Sequence, residues 1–245
     1  MQISAEAFGF APFLAVAYAL AVRNDAPTRA QLAAAAAALA LLFFAFATEL
    51  QQLATHTFLW AHLLQNVVLA EWAPALLVLA LPARVGNRVR VPMLAALPVW
   101  VGTYAVWHLP WAYDYALRHQ HSLLHVEHAT YLLAGIALWW PVVHGRESAG
   151  AKAAYVFAAF VLASPIGLLL ALIPRAIYSF YVHAPRTWGP RPLEDQQIAG
   201  VTMALEQAAV FFAVFAAYLL RFAREEQRDP ELFGLELRRE VLRRR

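Results

Sequence analysis

Residues 153–173 read AAYVFAAFVLASPIGLLLALI, a run that contains no charged side chain. About 20 apolar residues of helix are enough to cross the hydrocarbon core of a bilayer, so this run predicts a transmembrane helix. Six other segments are also long and apolar. The full set of predicted spans is roughly 6–22, 30–49, 56–81, 92–113, 123–143, 153–173 and 197–221. The sequence therefore predicts an all-α integral membrane protein folded as a seven-transmembrane helix bundle.

The composition of the chain supports a membrane protein and excludes several classes of function. The 245 residues are 62% hydrophobic and 14% charged, and a soluble domain of this size would expose too much apolar surface. The first span lacks a basic segment before it, so it is a poor secretory signal peptide. The net charge of +3 arises mainly from the C-terminal tail and does not indicate nucleic-acid binding. Because the chain has no cysteine, disulfides and thiolate metal ligands are excluded.

Basic residues predict the orientation of the bundle. Most of them lie in the loops after the first, third and fifth spans and in the C-terminal tail, whereas the opposite side carries Arg118, Arg175, Arg186 and Arg191. The positive-inside rule then places the N-terminus outside and the C-terminus in the cytoplasm. We divide the chain into a transmembrane domain, 1–222, and a basic cytoplasmic tail, 223–245. The tail is expected to lie at the anionic membrane surface or to form a solvated helix.

The distribution of histidine predicts where the chemistry occurs. Eight of the nine histidines fall on the predicted outer side, and imidazole both binds metals and titrates near neutral pH. Three spans contribute the four candidate metal ligands, which are His62, His108, His125 and His128. His125 and His128 are three residues apart and so share a helix face, from which Glu127 should point away. A hydrogen-bond network without metal is the alternative for these four residues, and the other outer histidines are expected to be interfacial anchors.

Two carboxyl groups and two prolines lie inside predicted spans. Glu71 and Glu206 are expected either to relay protons or to bond a neighbouring helix as protonated acids. Glu71 is about 22 Å from His56 by helical rise, which is too far for it to join the histidines. Pro74 and Pro98 should kink their helices and free backbone carbonyl groups. The long loop 174–196 mixes Tyr, Trp and Pro, which predicts a short interfacial helix followed by an irregular lid.

Several strings, in this order, resemble the CtaG family of multi-span cytochrome c oxidase assembly factors. They are His62-Leu-Leu-Gln-Asn66, Trp107-His108-Leu109-Pro110, His125-Val-Glu127-His128, the Tyr178/Tyr181 pair, and Asp195-Gln196-Gln197 followed by Met203. The resemblance runs from residue 56 to residue 203. It implies a multi-pass protein of the bacterial inner membrane that helps to mature a haem–copper oxidase and is not itself an enzyme.

The resemblance also implies a metal site. It makes the four histidines candidate copper ligands and places Asp195 and Met203 at the mouth of the last span. Where the family usually has a second histidine in the third span, this chain has Asn66, and an amide is a poorer copper ligand than imidazole. Either three histidines suffice, or His56 substitutes, or metal binding has been lost.

Copper handling is the leading hypothesis for function. The protein would hold copper, as Cu(I), at the outer leaflet and pass it to a haem–copper oxidase subunit, with a periplasmic copper donor as a second partner. Imidazole also suits other transition metals. A membrane cytochrome could instead use His62 with His125 or His128 as axial haem ligands. A proton-coupled transporter could use Glu71, Glu206 and the histidines.

Overall fold

The computed structural model describes residues 5–243, and it describes the side chains of residues 12–227. Helices make up this part of the chain and no strand occurs in it, so the prediction of an all-α fold is confirmed there. The helices are α1 (Ala5–Val22), α2 (Arg29–Ala47), α3 (Glu49–His56), α4 (Leu59–Val67), α5 (Ala73–Ala80), α6 (Ala83–Gly86), α7 (Met93–Trp107), α8 (Pro110–Arg118), α9 (Leu123–His144), α10 (Ala149–Leu172), α11 (Ser179–Val182) and α12 (Pro192–Arg243). A π turn, Val68–Trp72, joins α4 to α5 without a break.

Membrane-spanning segments are evident among the described residues. Four are long and apolar enough to cross a bilayer, namely Arg29–Ala47, Leu59–Ala80, Ala149–Leu172 and Pro192–Gln227. Met93–Trp107 is apolar but shorter. Helix α9 has 22 residues, but His125, Glu127 and His128 lower its mean hydropathy. The chain is therefore a membrane protein, whereas the count of seven spans and their orientation stay predictions.

Two predicted span boundaries were wrong. The span predicted to begin at residue 56 begins at Leu59, because α3 is a separate short helix that ends at His56. The span predicted to reach residue 113 ends at Trp107, and Pro110 starts a new helix. Proline disfavours helical geometry in the residue before it, and Leu109 is accordingly extended, with φ −65° and ψ 127°.

Helices α7 and α9 both contact the chain at the π turn. Pro74 has no N–H group, so the carbonyl of Ala70 loses its usual partner within the helix. The indole Nε1 of Trp100 in α7 donates to this carbonyl at 3.1 Å, which confirms the prediction of a freed carbonyl group. On α9, Gly135 lies directly against the carbonyl of Ala70 and the ring of Pro74. The absence of a side chain at Gly135 is what permits this approach.

Helices α10 and α12 also pack closely, through glycine. A Cβ atom added to Gly200 would lie 2.5 Å from the carbonyl oxygen of Gly167, so the two backbones are nearly in contact. Helix α12 continues past the predicted domain boundary at residue 222. Because the side chains after residue 227 lie outside the described part of the chain, the predicted basic tail stays a prediction.

Candidate functional site

A buried His–Glu cluster forms between side chains of α4 and α9, and its members are His62, Asn66, Glu127 and His128. Each of these side chains is 1% exposed or less. The Nε2 atom of His62 lies 3.6 Å from Oε1 of Glu127, and Nδ2 of Asn66 donates to the same oxygen at 3.0 Å. The rings of His62 and His128 are 5.9 Å apart between centroids. The structure thus brings together two of the four predicted histidines with a carboxylate.

The prediction that Glu127 points away from this site was wrong. Helix α9 packs against α5, α7 and α8, so more than one of its faces is covered by protein. Glu127 and His128 are both fully buried in these contacts, whereas Val126 is 48% exposed. His125 is only half-buried, one turn closer to the start of α9. The sequence pattern identified the right turn of helix but assigned its interior face incorrectly.

The tautomer of the neutral His62 ring follows from its hydrogen bonds. Tyr181 donates its hydroxyl proton to the carbonyl of Ala54, and its oxygen lies 2.9 Å from Nδ1 of His62. Burial raises the pKa of the Tyr181 phenol well above its ordinary value, so the hydroxyl keeps its proton. Nδ1 of His62 must therefore be the N–H donor to this oxygen. In the neutral ring, Nε2 then carries a lone pair that faces Glu127.

His108 is held in the same tautomer on the neighbouring helix. Its Nδ1 donates to the carbonyl of Tyr104 at 2.8 Å, and its Nε2 is buried without a hydrogen-bond partner among the described residues. The rings of His62 and His108 both contact Tyr113, at centroid distances of 4.9 Å and 6.3 Å. Tyr178 donates to the carbonyl of His108 at 3.0 Å. His108 therefore adjoins the buried His–Glu cluster through Tyr113.

Asp195, predicted as a possible metal ligand, accepts hydrogen bonds from the start of a helix and from an arginine. One of its oxygens accepts from the backbone N–H of Trp60 at 3.0 Å. The other accepts from the N–H of Leu59 at 2.9 Å and from Arg186 at 3.0 Å. Asp195 therefore caps the N-terminus of α4, whose own preceding residue makes no side-chain cap. Its carboxylate fixes the helix that carries His62.

Further hydrogen bonds join the 173–191 loop to the helical bundle. Its helix α11, Ser179–Val182, confirms the prediction of a short helix in this loop. Asp114 accepts from the N–H groups of Ser179 and Phe180 at 3.0 Å and 2.9 Å and thereby caps α11. Gln196 accepts from Ile177 N–H at 2.8 Å. These contacts hold Tyr181 in place beside His62.

Two other candidate ligands lie apart from the buried His–Glu cluster. His56 is exposed at the end of α3, and its Nδ1 lies 2.8 Å from the hydroxyl of Thr55. His56 therefore lies outside the buried His–Glu cluster. Met203 is buried, and its Cβ lies beside Gly167 where α10 meets α12. Within residues 12–227, no three His, Asp or Glu side chains stand close enough together to hold one metal ion.

The two intramembrane glutamates form a second polar group, in which Glu71 and Glu206 interact directly. Gln207 donates from Nε2 to Oε1 of Glu71 at 2.9 Å, and the same nitrogen lies 2.9 Å from the hydroxyl of Tyr104. Trp72 donates its indole N–H to Glu206. Glu71 contacts Gln207 and Glu206 rather than the histidines.

The comparisons with known proteins identify the family. The family model described as cytochrome c oxidase caa3 assembly factor matches residues 11–225, which is most of the chain. The chain belongs to this family. The search of curated proteins and the search of solved structures each found no match. Membership in the caa3 assembly factor family confirms the resemblance inferred from the sequence strings, and it implies a cytochrome oxidase as partner.

Several residues that shape the site in this caa3 assembly factor were not given their role by the sequence. Tyr181 was recognised as half of a tyrosine pair, but its hydrogen bond to His62 was not foreseen. In the sequence, Arg186 stands out only by its charge, and Tyr113 has no distinguishing feature. For Tyr181 and Arg186, the available signal was the occurrence of polar and aromatic residues together in the 173–191 loop.

Proposed function

We propose that this protein binds copper at the buried His–Glu cluster and delivers it to the caa3-type cytochrome c oxidase during assembly. One observation carries the proposal. The His62 ring, its tautomer set by Tyr181, faces the Glu127 carboxylate across 3.6 Å, and both side chains are fully buried. Family membership supplies the partner. The role requires no reaction catalysed by the protein itself.

The physical argument rests on the two facing atoms. A neutral imidazole Nε2 and a carboxylate oxygen both present lone pairs, so with nothing between them they repel each other at low dielectric. A cation between them removes this repulsion, and the cation is either a proton or a metal ion. Metal–nitrogen and metal–oxygen bonds of about 2.0–2.2 Å, as for zinc, are compatible with two donor atoms at this separation.

Further ligands come from the neighbouring histidines. The further candidates are His128, whose ring centroid lies 5.9 Å from that of His62, and His108, whose Nε2 atom lacks a hydrogen-bond partner within the described residues. Without thiolates the affinity is moderate, which suits a carrier that must release its cargo. The sequence favours Cu(I), and a carboxylate beside imidazole is also a ligand set for Cu(II), so both states belong in the test.

The membrane arrangement is part of the proposal. We infer that seven helical segments cross the inner membrane of a bacterium, with the N-terminus outside and the basic tail in the cytoplasm. The distribution of arginine supports this orientation. The buried His–Glu cluster then lies in the outer leaflet, where a periplasmic copper donor and the oxidase subunit can reach it.

Copper titration of the purified protein against a competing chelator tests the proposal. We expect one copper per chain in the wild type. His62→Ala and Glu127→Gln should each weaken binding by more than the roughly 10–100-fold typical of an outer-shell change, because each removes a ligand. The matched control is His119→Ala, which alters an exposed histidine of the same predicted face and should bind as the wild type does.

Three results would contradict the copper proposal. They are a wild-type protein that binds no copper in either oxidation state, unchanged binding in both ligand variants, and normal copper loading of the oxidase in a deletion strain. An absorption spectrum of the purified protein provides a further check. A Soret band would support the haem alternative in place of copper.

Replacing Tyr181 by phenylalanine should weaken copper binding, although Tyr181 is not itself a proposed copper ligand. The change removes the acceptor that holds the proton on Nδ1 of His62, so the ring can move that proton to Nε2 and donate it to Glu127. We expect a loss of about 10–100-fold in copper affinity, measured by the same titration. Tyr115→Phe, at an exposed tyrosine of α8, is the control. Equal affinity in Tyr181→Phe and wild type would mean that this hydrogen bond does not set the tautomer.

A further inference from the structure

Glu71 and Glu206 bring two carboxyl groups together in the interior of the bundle, away from the buried His–Glu cluster. Glu71 lies in the π turn and is fully buried, whereas Glu206 on α12 is partly buried. Neither carboxyl forms an ion pair with a basic group of residues 12–227. The charged or titratable groups that face the pair are the two carboxyls themselves and the Tyr104 hydroxyl.

Some acceptor oxygen atoms around this pair receive no hydrogen bond from the described residues. Trp72 and Gln207 each donate to one oxygen, on Glu206 and Glu71 respectively. The second oxygen of each glutamate and the amide oxygen of Gln207 are buried and have no hydrogen-bond partner among the described residues. Gln207 itself is fully buried. Buried acceptors without donors are costly, so this arrangement indicates a missing positive or hydrogen-bearing ligand.

We propose that Glu71 and Glu206 form a proton-binding site, in which one proton is shared between the two carboxyl groups. Two carboxylates in contact cannot both be ionised where no cation compensates them, and a single proton between them converts repulsion into a hydrogen bond. The proton also supplies one of the missing donors. Glu71 lies in the π turn and its side chain is fully buried; such turns occur frequently at functional sites.

The site is connected to the histidine region by hydrogen bonds and ring contacts. Gln207 bridges Glu71 and the hydroxyl of Tyr104, and the Tyr104 ring lies 4.5 Å from that of His108. The main-chain carbonyl of Tyr104 also accepts from His108. Gln207 and Tyr104 thus separate the proposed proton site from His108, which is a candidate copper ligand. The proposal stands independently of copper binding, since it rests on different side chains.

Infrared spectroscopy of the purified full-length protein at neutral pH tests the shared proton. We expect the C=O stretching band of a protonated carboxyl group in the wild type and its loss in the double variant Glu71→Gln/Glu206→Gln, since glutamine keeps the shape but cannot be a carboxylic acid. Each single variant should shift or abolish the band. The control Glu147→Gln/Glu194→Gln changes two exposed glutamates elsewhere and should leave the band in place.

Three outcomes would overturn this proposal. A wild-type spectrum without a carboxylic acid band would show that both groups are ionised. A band that persists in the double variant would belong to other residues. A band that is unchanged in Glu206→Gln would place the proton on Glu71 alone and exclude sharing. A melting curve of each variant in detergent verifies that the bundle is folded, so a lost band reports the missing acid.

Discussion

Replacing Asp195 by alanine is expected to destabilise the protein by about 3–5 kcal/mol, the usual cost of removing one partner of a buried ion pair. The Asp195 carboxylate is fully buried, and Arg186, its partner at 3.0 Å, is 12% exposed. The substitution also uncaps α4, because the N–H groups of Leu59 and Trp60 lose their acceptor. Thermal unfolding in detergent should show a clear fall in melting temperature. Since α4 carries His62, copper affinity should fall as well.

The control for this prediction is Glu225→Ala, which breaks an exposed ion pair with Arg221 on α12. Exposed pairs contribute little, so the melting temperature should not change. An Asp195→Ala protein that melts like the wild type would show that water or another donor set replaces the carboxylate. In that case Asp195 would again be available for a role in the metal site.

Replacing Gly135 by alanine is the second change with a large expected effect. The added methyl group would meet the carbonyl oxygen of Ala70 and would lie 2.6 Å from Cγ of Pro74. Neither a backbone carbonyl nor a proline ring can move aside easily, so α9 must shift as a body. We expect a destabilisation of about 1–3 kcal/mol or more, as for other overpacked interiors, seen as a lower melting temperature. Glu127 and His128 lie on the same helix, so copper affinity should decrease too.

Gly102→Ala provides a matched control on α7. A Cβ atom at Gly102 meets no other atom within 4 Å. Alanine is a better helix former than glycine by roughly 0.5–1 kcal/mol, so this variant should be as stable as the wild type or slightly more so. If Gly135→Ala were equally harmless, the close approach of α9 to the π turn would not be a requirement of the fold.

Local features of the chain were predictable to a useful degree. Long apolar runs predicted helices that the structure contains, because hydropathy and helix length are properties of neighbouring residues. Pro74 predicted a freed carbonyl for the same reason, since the missing N–H group acts four residues away in one helix. The start of α4 and the end of α7 were misplaced. Both depend on local breaks, at Thr57–Phe58 and before Pro110, within runs that remain apolar overall.

The candidate site was predictable only in part. The spacing of His125 and His128 identified the correct turn of α9, but not that Glu127 shares the interior with His128. Helical periodicity assigns one buried face to a helix, and α9 is covered on several faces. The partners of Asp195 were also not predictable from the sequence. A carboxylate near histidines predicts a ligand, whereas its actual partners are N–H groups at a helix start more than a hundred residues away.

By itself, the sequence determined that this is an α-helical membrane protein of the caa3 assembly factor family, and that its histidines concentrate in a few segments. These conclusions need only composition, local order and short strings. The tertiary structure alone decided which histidine faces a carboxylate, which tyrosine sets the tautomer of His62, and that Glu71 meets Glu206. Those contacts join helices far apart in the chain, so they depend on how glycines, prolines and caps let the helices pack, which no local pattern encodes.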